Sequence, residues 1–180
     1  MTRRNSEGPS QWPSSWKDSN PALAPEAPWT LEQYRDLQRL LRLYEPRIAL
    51  LDRALAAPNP QVPTANSVDF PLPYLSGVRS MAWWLRLSAR RKAAMGDHAG
   101  AFQDLVRAAR MGNTVSRGAT LIGHLVGIAC QAIAADTAHS IATREDVPAP
   151  VLERAARDLL ASMDDAEPFV EAMRAEAYVA

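Results

Sequence analysis

Three histidines, one cysteine and a helical row of arginines are the residues of this 180-residue chain whose types could do chemistry. On a continuous helix His124 and His139 fall about 60° apart around the axis but roughly 22 Å apart along it, too far to share a metal ion. Asp136 and His139 lie within one turn of each other, which makes a carboxylate–imidazole pair and no more. A polar pocket enclosing His124, Asp136 and His139 would support small-molecule binding or hydrolysis, whereas three separately satisfied side chains would count against it. His98 stands alone. The chain has no His-Glu-x-x-His, no glycine-rich phosphate loop and no Gly-x-Ser-x-Gly, so no catalytic residue, metal or cofactor is expected. Cys130 sits within an apolar run as the one cysteine, which excludes an intrachain disulfide and a cysteine zinc site and predicts a buried, inert thiol.

The arginines say more. Arg79, Trp83, Arg86 and Arg90 fall within about 60° of one another on a helix, a basic stripe with an aromatic in it. Such a stripe can grip an acidic peptide or stack with nucleic acid, and it is the candidate partner-binding surface. The alternative is intramolecular: the arginines meet the first helix or the acidic C-terminal helices, and Trp83 packs under the proline-rich connection. Residues 76–112 hold seven Arg/Lys against two Asp, while residues 143–180 hold four Arg against nine Asp/Glu, so the two regions can neutralise each other. With 20 basic and 20 acidic residues the chain has no net charge to draw it to nucleic acid, and a protein partner is the expectation.

These residues must be positioned by helices. The stretch 119–141 is apolar around most of its circumference (Leu121, Ile122, Leu125, Val126, Ile128, Ala129, Ile133), which predicts a central helix enclosed by others. Small residues at Ala119, Gly123, Gly127 and Ala134 let a neighbouring backbone approach. His124 and Gln131 within the stretch, and Asp136 and His139 at its end, argue against a membrane span. Upstream, Thr30-x-x-Gln33 predicts a capping box, followed by apolar residues at Leu31, Tyr34, Leu37, Leu40, Leu41 and Tyr44 in helical phase. Pro46 is expected to break or kink that helix. A proline-rich connection over 58–75 follows, with a groove beside it as a further contact surface. Ser76 then caps a helix over 77–95, and Gly96 ends it. Asp97 caps the next to about Met111, and Gly112 stops it. Two more helices are expected over 151–163 and 167–178.

The prediction is therefore an all-α fold, antiparallel helical hairpins packed around a buried central helix, over residues 30–180. Residues 1–29, with five prolines, serines and the tryptophans Trp12, Trp16 and Trp29, form a disordered tail in which the tryptophans could dock on a groove. They lack the apolar run of a secretory signal, so a cytoplasmic location is expected by default, with cell-envelope association if more chain exists.

The segment AAMGDHAGAFQDLVRAARMG, with its Gly96–Asp97 turn and packing residues Ala101, Leu105 and Ala108, resembles the second half of a tetratricopeptide repeat. The match covers one hairpin. The longer run from Leu85 through Asp136 resembles an uncharacterised family of bacterial all-helical proteins. That likeness supplies no activity; members of that family often carry an N-terminal membrane segment and continue further at the C-terminus. Read from its residues, the chain is expected to be a non-enzymatic helical scaffold or protein-interaction module, with a small-molecule-binding or hydrolytic bundle around His124, Asp136 and His139 as the alternative.

Overall fold

The computed structural model describes residues 31–58, 60, 62, 72, 74–117, 120–144, 146–164 and 169–179. The expected tail, the Thr30 cap and most of the 58–75 connection lie outside them. Every regular element among the described residues is an α-helix: α1 (Leu31–Leu55), α2 (Tyr74–Ala94), α3 (His98–Ser116), α4 (Leu121–Ala142), α5 (Ala149–Asp164) and α6 (Phe169–Val179). The chain is thus an all-α bundle.

The α2–α3 hairpin forms where the local chemistry requires it. Gly96 takes φ 81°, a conformation that costs glycine nothing, and so closes α2. The Asp97 carboxylate then accepts a 2.9 Å hydrogen bond from the Gly100 amide and caps α3. The first and last residues of the hairpin's helices differ from expectation. α2 begins at Tyr74, ahead of Ser76, and α3 runs through Gly112 to Ser116. α1 likewise continues through Pro46, whose ring projects into solvent.

The buried central helix is α3, which packs against α2, α4 and α5, while α1 lies on α2 and α3 and α6 rests on α4. Its inward side (Ala101, Phe102, Leu105, Ala108, Ala109) meets Leu85, Ala89 and Ala93 of α2, Ala134, Ala138 and Ile141 of α4 and Ala155 of α5. So many alanines bring the helix axes close, and the leucines fill what remains. Leu37, Leu41 and Tyr44 of α1 cover Trp84 and Leu87 of α2, with the Tyr44 and Trp84 rings stacked at 4.0 Å.

The stretch expected to be central, α4, is enclosed on one side only. Gly127 and Cys130 are buried against α3, but Ile122, Leu125 and Ile128 are 60%, 51% and 44% exposed. Apolar residues around the whole circumference mark a helix that avoids water; they do not say whether its own chain covers every face.

Candidate functional site

The arginine stripe of α2 is not a continuous surface. Arg79 is exposed and Trp83 and Arg90 are half-buried, but Arg86 is only 8% exposed. Its guanidinium lies 5.0 Å from the Trp83 ring and 3.8 Å from the Asp136 carboxylate of α4. Among the described residues, the ion pair of Arg86 is therefore intramolecular and made to α4. The cation is committed to packing as much as to charge.

The polar residues of α4 are not gathered. His124 is 5% exposed, edge-on to Phe169 of α6 at 5.7 Å, whereas Asp136 is turned outward with its side chain 72% exposed, and His139 is exposed. His98 is buried at the start of α3 with Nε2 3.6 Å from Asp146, in the α4–α5 connection. Arg144 donates two hydrogen bonds to Asp146 and, with His98 a lesser influence, holds its carboxyl below the usual carboxylate range. No group of three His, Cys, Asp or Glu side chains that could hold a metal occurs among the described residues.

Cys130 is fully buried against α3 and α2. Burial pushes its thiol up from an ordinary 9.0 to about 11, against a smaller opposing pull from Arg79. The thiolate fraction at pH 8 is then roughly 100-fold below that of a free cysteine. Alkylation of native chain by iodoacetamide at pH 8 should accordingly be slower by at least that factor than in denaturant. Equal rates would show that Cys130 is accessible. The sign for stability follows: a raised folded-state pKa contributes fully below the unfolded value and is lost as pH rises toward 11.

A half-open groove of about 640 Å³ lies elsewhere, between the C-terminal end of α1, the outer side of α3 and the first turns of α5. Leu55, Phe102, Val106, Val151 and Ala155 give it an apolar floor. Its rim carries Arg107 and Arg110 from α3 and Arg154 and Arg157 from α5, against Asp52 and Asp158. The lining charges sum to +2, four arginines less two aspartates.

Each pair of arginines comes from the same tetrapeptide, Arg-Ala-Ala-Arg, at 107–110 and again at 154–157. Spacing of three puts both guanidiniums on one side of a helix, and buried Ala108, Ala109 and Ala155 let α3 and α5 pack closely. That repetition is the one sign of the groove in the sequence itself.

The four cations are not equivalent. Arg107 donates to both Asp52 oxygens, at 2.6 and 3.0 Å, and to Asp104 at 2.7 Å. The hydrogen bond to Asp52 is the main reason that its guanidinium pKa is raised, and this arginine is already neutralised. Arg154 stands 3.7 Å from Asp158 in a largely exposed pair. Arg157 is exposed and, among the described residues, makes a 3.5 Å hydrogen bond to the Glu153 carbonyl and no ion pair. Arg110 is exposed, with no carboxylate partner among the described residues. Arg110 and Arg157 are thus the charges open to a ligand.

Behind Arg107, the Asp104 carboxylate is 1% exposed and fully satisfied. It accepts hydrogen bonds from Ser88 Oγ at 2.6 Å and from Arg107 at 2.7 Å, and Lys92 Nζ forms an ion pair with it at 2.7 Å. This network ties α1, α2 and α3 together and fixes one wall of the groove. Against models of known families, curated proteins and solved structures, the chain finds no match, so its own groove is the ground for any functional reading.

Proposed function

We propose that the chain is a non-enzymatic helical interaction module that takes an acidic, partly apolar segment of a partner protein into the α1–α3–α5 groove. The observation that carries this reading is an apolar floor beneath a rim of net charge +2 whose two uncommitted guanidiniums, Arg110 and Arg157, face solvent. Apolar side chains of the partner would displace water from Leu55, Val106 and Val151, which are half-buried, and its carboxylates would pair with the arginines. The volume suits a few side chains of a peptide, in the range of ligand-sized clefts. Asp52 and Asp158 on the same rim disfavour a phosphate backbone, as does the chain's zero net charge.

The test is a pair of fluorescein-labelled helical peptides, one alternating Glu with Leu in helical spacing and the other carrying Lys for Glu. The acidic peptide should bind with a Kd on the order of micromolar, more weakly as salt rises, and the lysine peptide should not. Arg110→Glu/Arg157→Glu should weaken binding at least about tenfold with folding unchanged. Equal binding of both peptides, or indifference to the double reversal, would refute the groove as the binding surface.

A further inference from the structure

We infer that the open face of α4 is the interface of a two-fold homodimer in which two α4 helices pack antiparallel. The face is built from exposed Ile122, Leu125, Ile128, Ala132 and Ala135, with half-buried Ala129 among them. It contains no charge over that length. A soluble partner for it must present an equally neutral apolar stripe, and a second copy has one.

The arrangement of sizes points to direction. Large side chains occupy the N-terminal half of the face and alanines the C-terminal half. An antiparallel pair centred between Ile128 and Ala129 sets Leu125 of one copy on Ala132 of the other, and Ile122 on Ala135. Every knob then meets a hole, in the ridge-and-groove manner of closely packed helices. A parallel pair would set large on large and leave the alanines facing a gap.

Charge agrees. Asp136, its side chain 72% exposed at the end of the face, would lie against the N-terminal end of the opposite α4, where the helix dipole is positive and exposed Arg117 precedes the helix. In a parallel pair, Asp136 would face Asp136. The neighbouring α6 widens the patch with Phe169, Val170 and Met173, each about half exposed.

These six large side chains together leave roughly 600 Å² of apolar surface open, the upper end of what a monomer carries. Two such faces make roughly 1,200 Å², the lower bound for a specific pair. Lipid is the less suitable occupant, because Asp136 stands in line with the stripe and would enter the bilayer boundary with it.

Sedimentation equilibrium and cysteine cross-linking test this on the full chain. At about 100 µM the chain should run at twice its mass, since interfaces of this size support micromolar association. Leu125→Glu, at a position 51% exposed in the monomer, should fold normally and weaken association at least tenfold. Under mild oxidation Leu125→Cys/Ala132→Cys should form covalent dimers, and neither single variant should, because like positions lie roughly 10 Å apart along the antiparallel pair. Buried Cys130 gives no background. A chain that stays monomeric at 100 µM overturns the inference. So do single variants that cross-link as well as the double, or a monomer that instead co-sediments with phosphatidylcholine–phosphatidylserine vesicles. None of these outcomes bears on the groove, which lies between other helices.

Discussion

Asp104→Ala should cost about 3 kcal/mol of stability, the lower end of the loss on breaking a buried ion pair. Asp104 is 1% exposed, accepts hydrogen bonds from Ser88 and Arg107 and forms an ion pair with Lys92. Removing it leaves the Ser88 hydroxyl unpaired and brings two cations together without an anion between them. Their side chains are 30% and 26% exposed, so both reach some water, and Arg107 keeps Asp52, which holds the cost at that lower end. Asp104→Asn retains the shape and an acceptor for Ser88 and should lose about half as much. Urea unfolding of the three proteins measures it. A loss under about 1 kcal/mol for alanine would mean that the network is incidental to how α1, α2 and α3 are held.

Gly127→Ala should be nearly as damaging, although alanine favours a helix by about 1 kcal/mol. α3 and α4 cross where Gly112 and Gly127 meet. A Cβ on Gly127 would lie 2.5 Å from the Gly112 carbonyl oxygen and closer still to Ser116 Oγ. Ser116 is itself buried and donates to that same carbonyl at 3.1 Å, so neither group can turn away. The helices must separate, and overpacking of this kind costs about 1–3 kcal/mol, occasionally more. A net loss of about 2 kcal/mol should lower Tm by roughly 4–8 °C. Gly77→Ala is the control: nothing lies within 4 Å of its Cβ position, and it should raise Tm slightly through helix propensity alone. If both variants behave alike, the crossing is not close-packed.

What could be read in the chain was local. The Gly96–Asp97 turn and its cap follow from two side chains, and the buried face of α1 from the spacing of Leu37, Leu41 and Tyr44. Gly112 shows the limit of such reasoning. In isolation it reads as a helix stop, yet it stays helical because the α4 backbone needs its missing side chain, a requirement carried by Gly127 in another element. α4 shows a second limit: apolar on every side, its sequence has no phase, so nothing local distinguishes the covered face from the open one.

Arg86 has the periodicity of a surface stripe but is buried with Asp136 beside it, a fact set by how α4 lies on α2. The groove was the least legible feature. Its two Arg-Ala-Ala-Arg segments are visible as text, but that they face each other depends on α5 docking along α3, and that Arg107 is neutralised depends on Asp52 of α1.

The most direct measurement is a ¹⁵N-edited NMR titration of the chain with the acidic Glu/Leu peptide. Amide shifts should concentrate at Phe102, Val106, Arg110, Val151, Ala155 and Arg157, the floor and open rim of the groove. Shifts centred instead on Arg79 and Trp83 of α2, or absent at saturating peptide, would contradict binding in the groove.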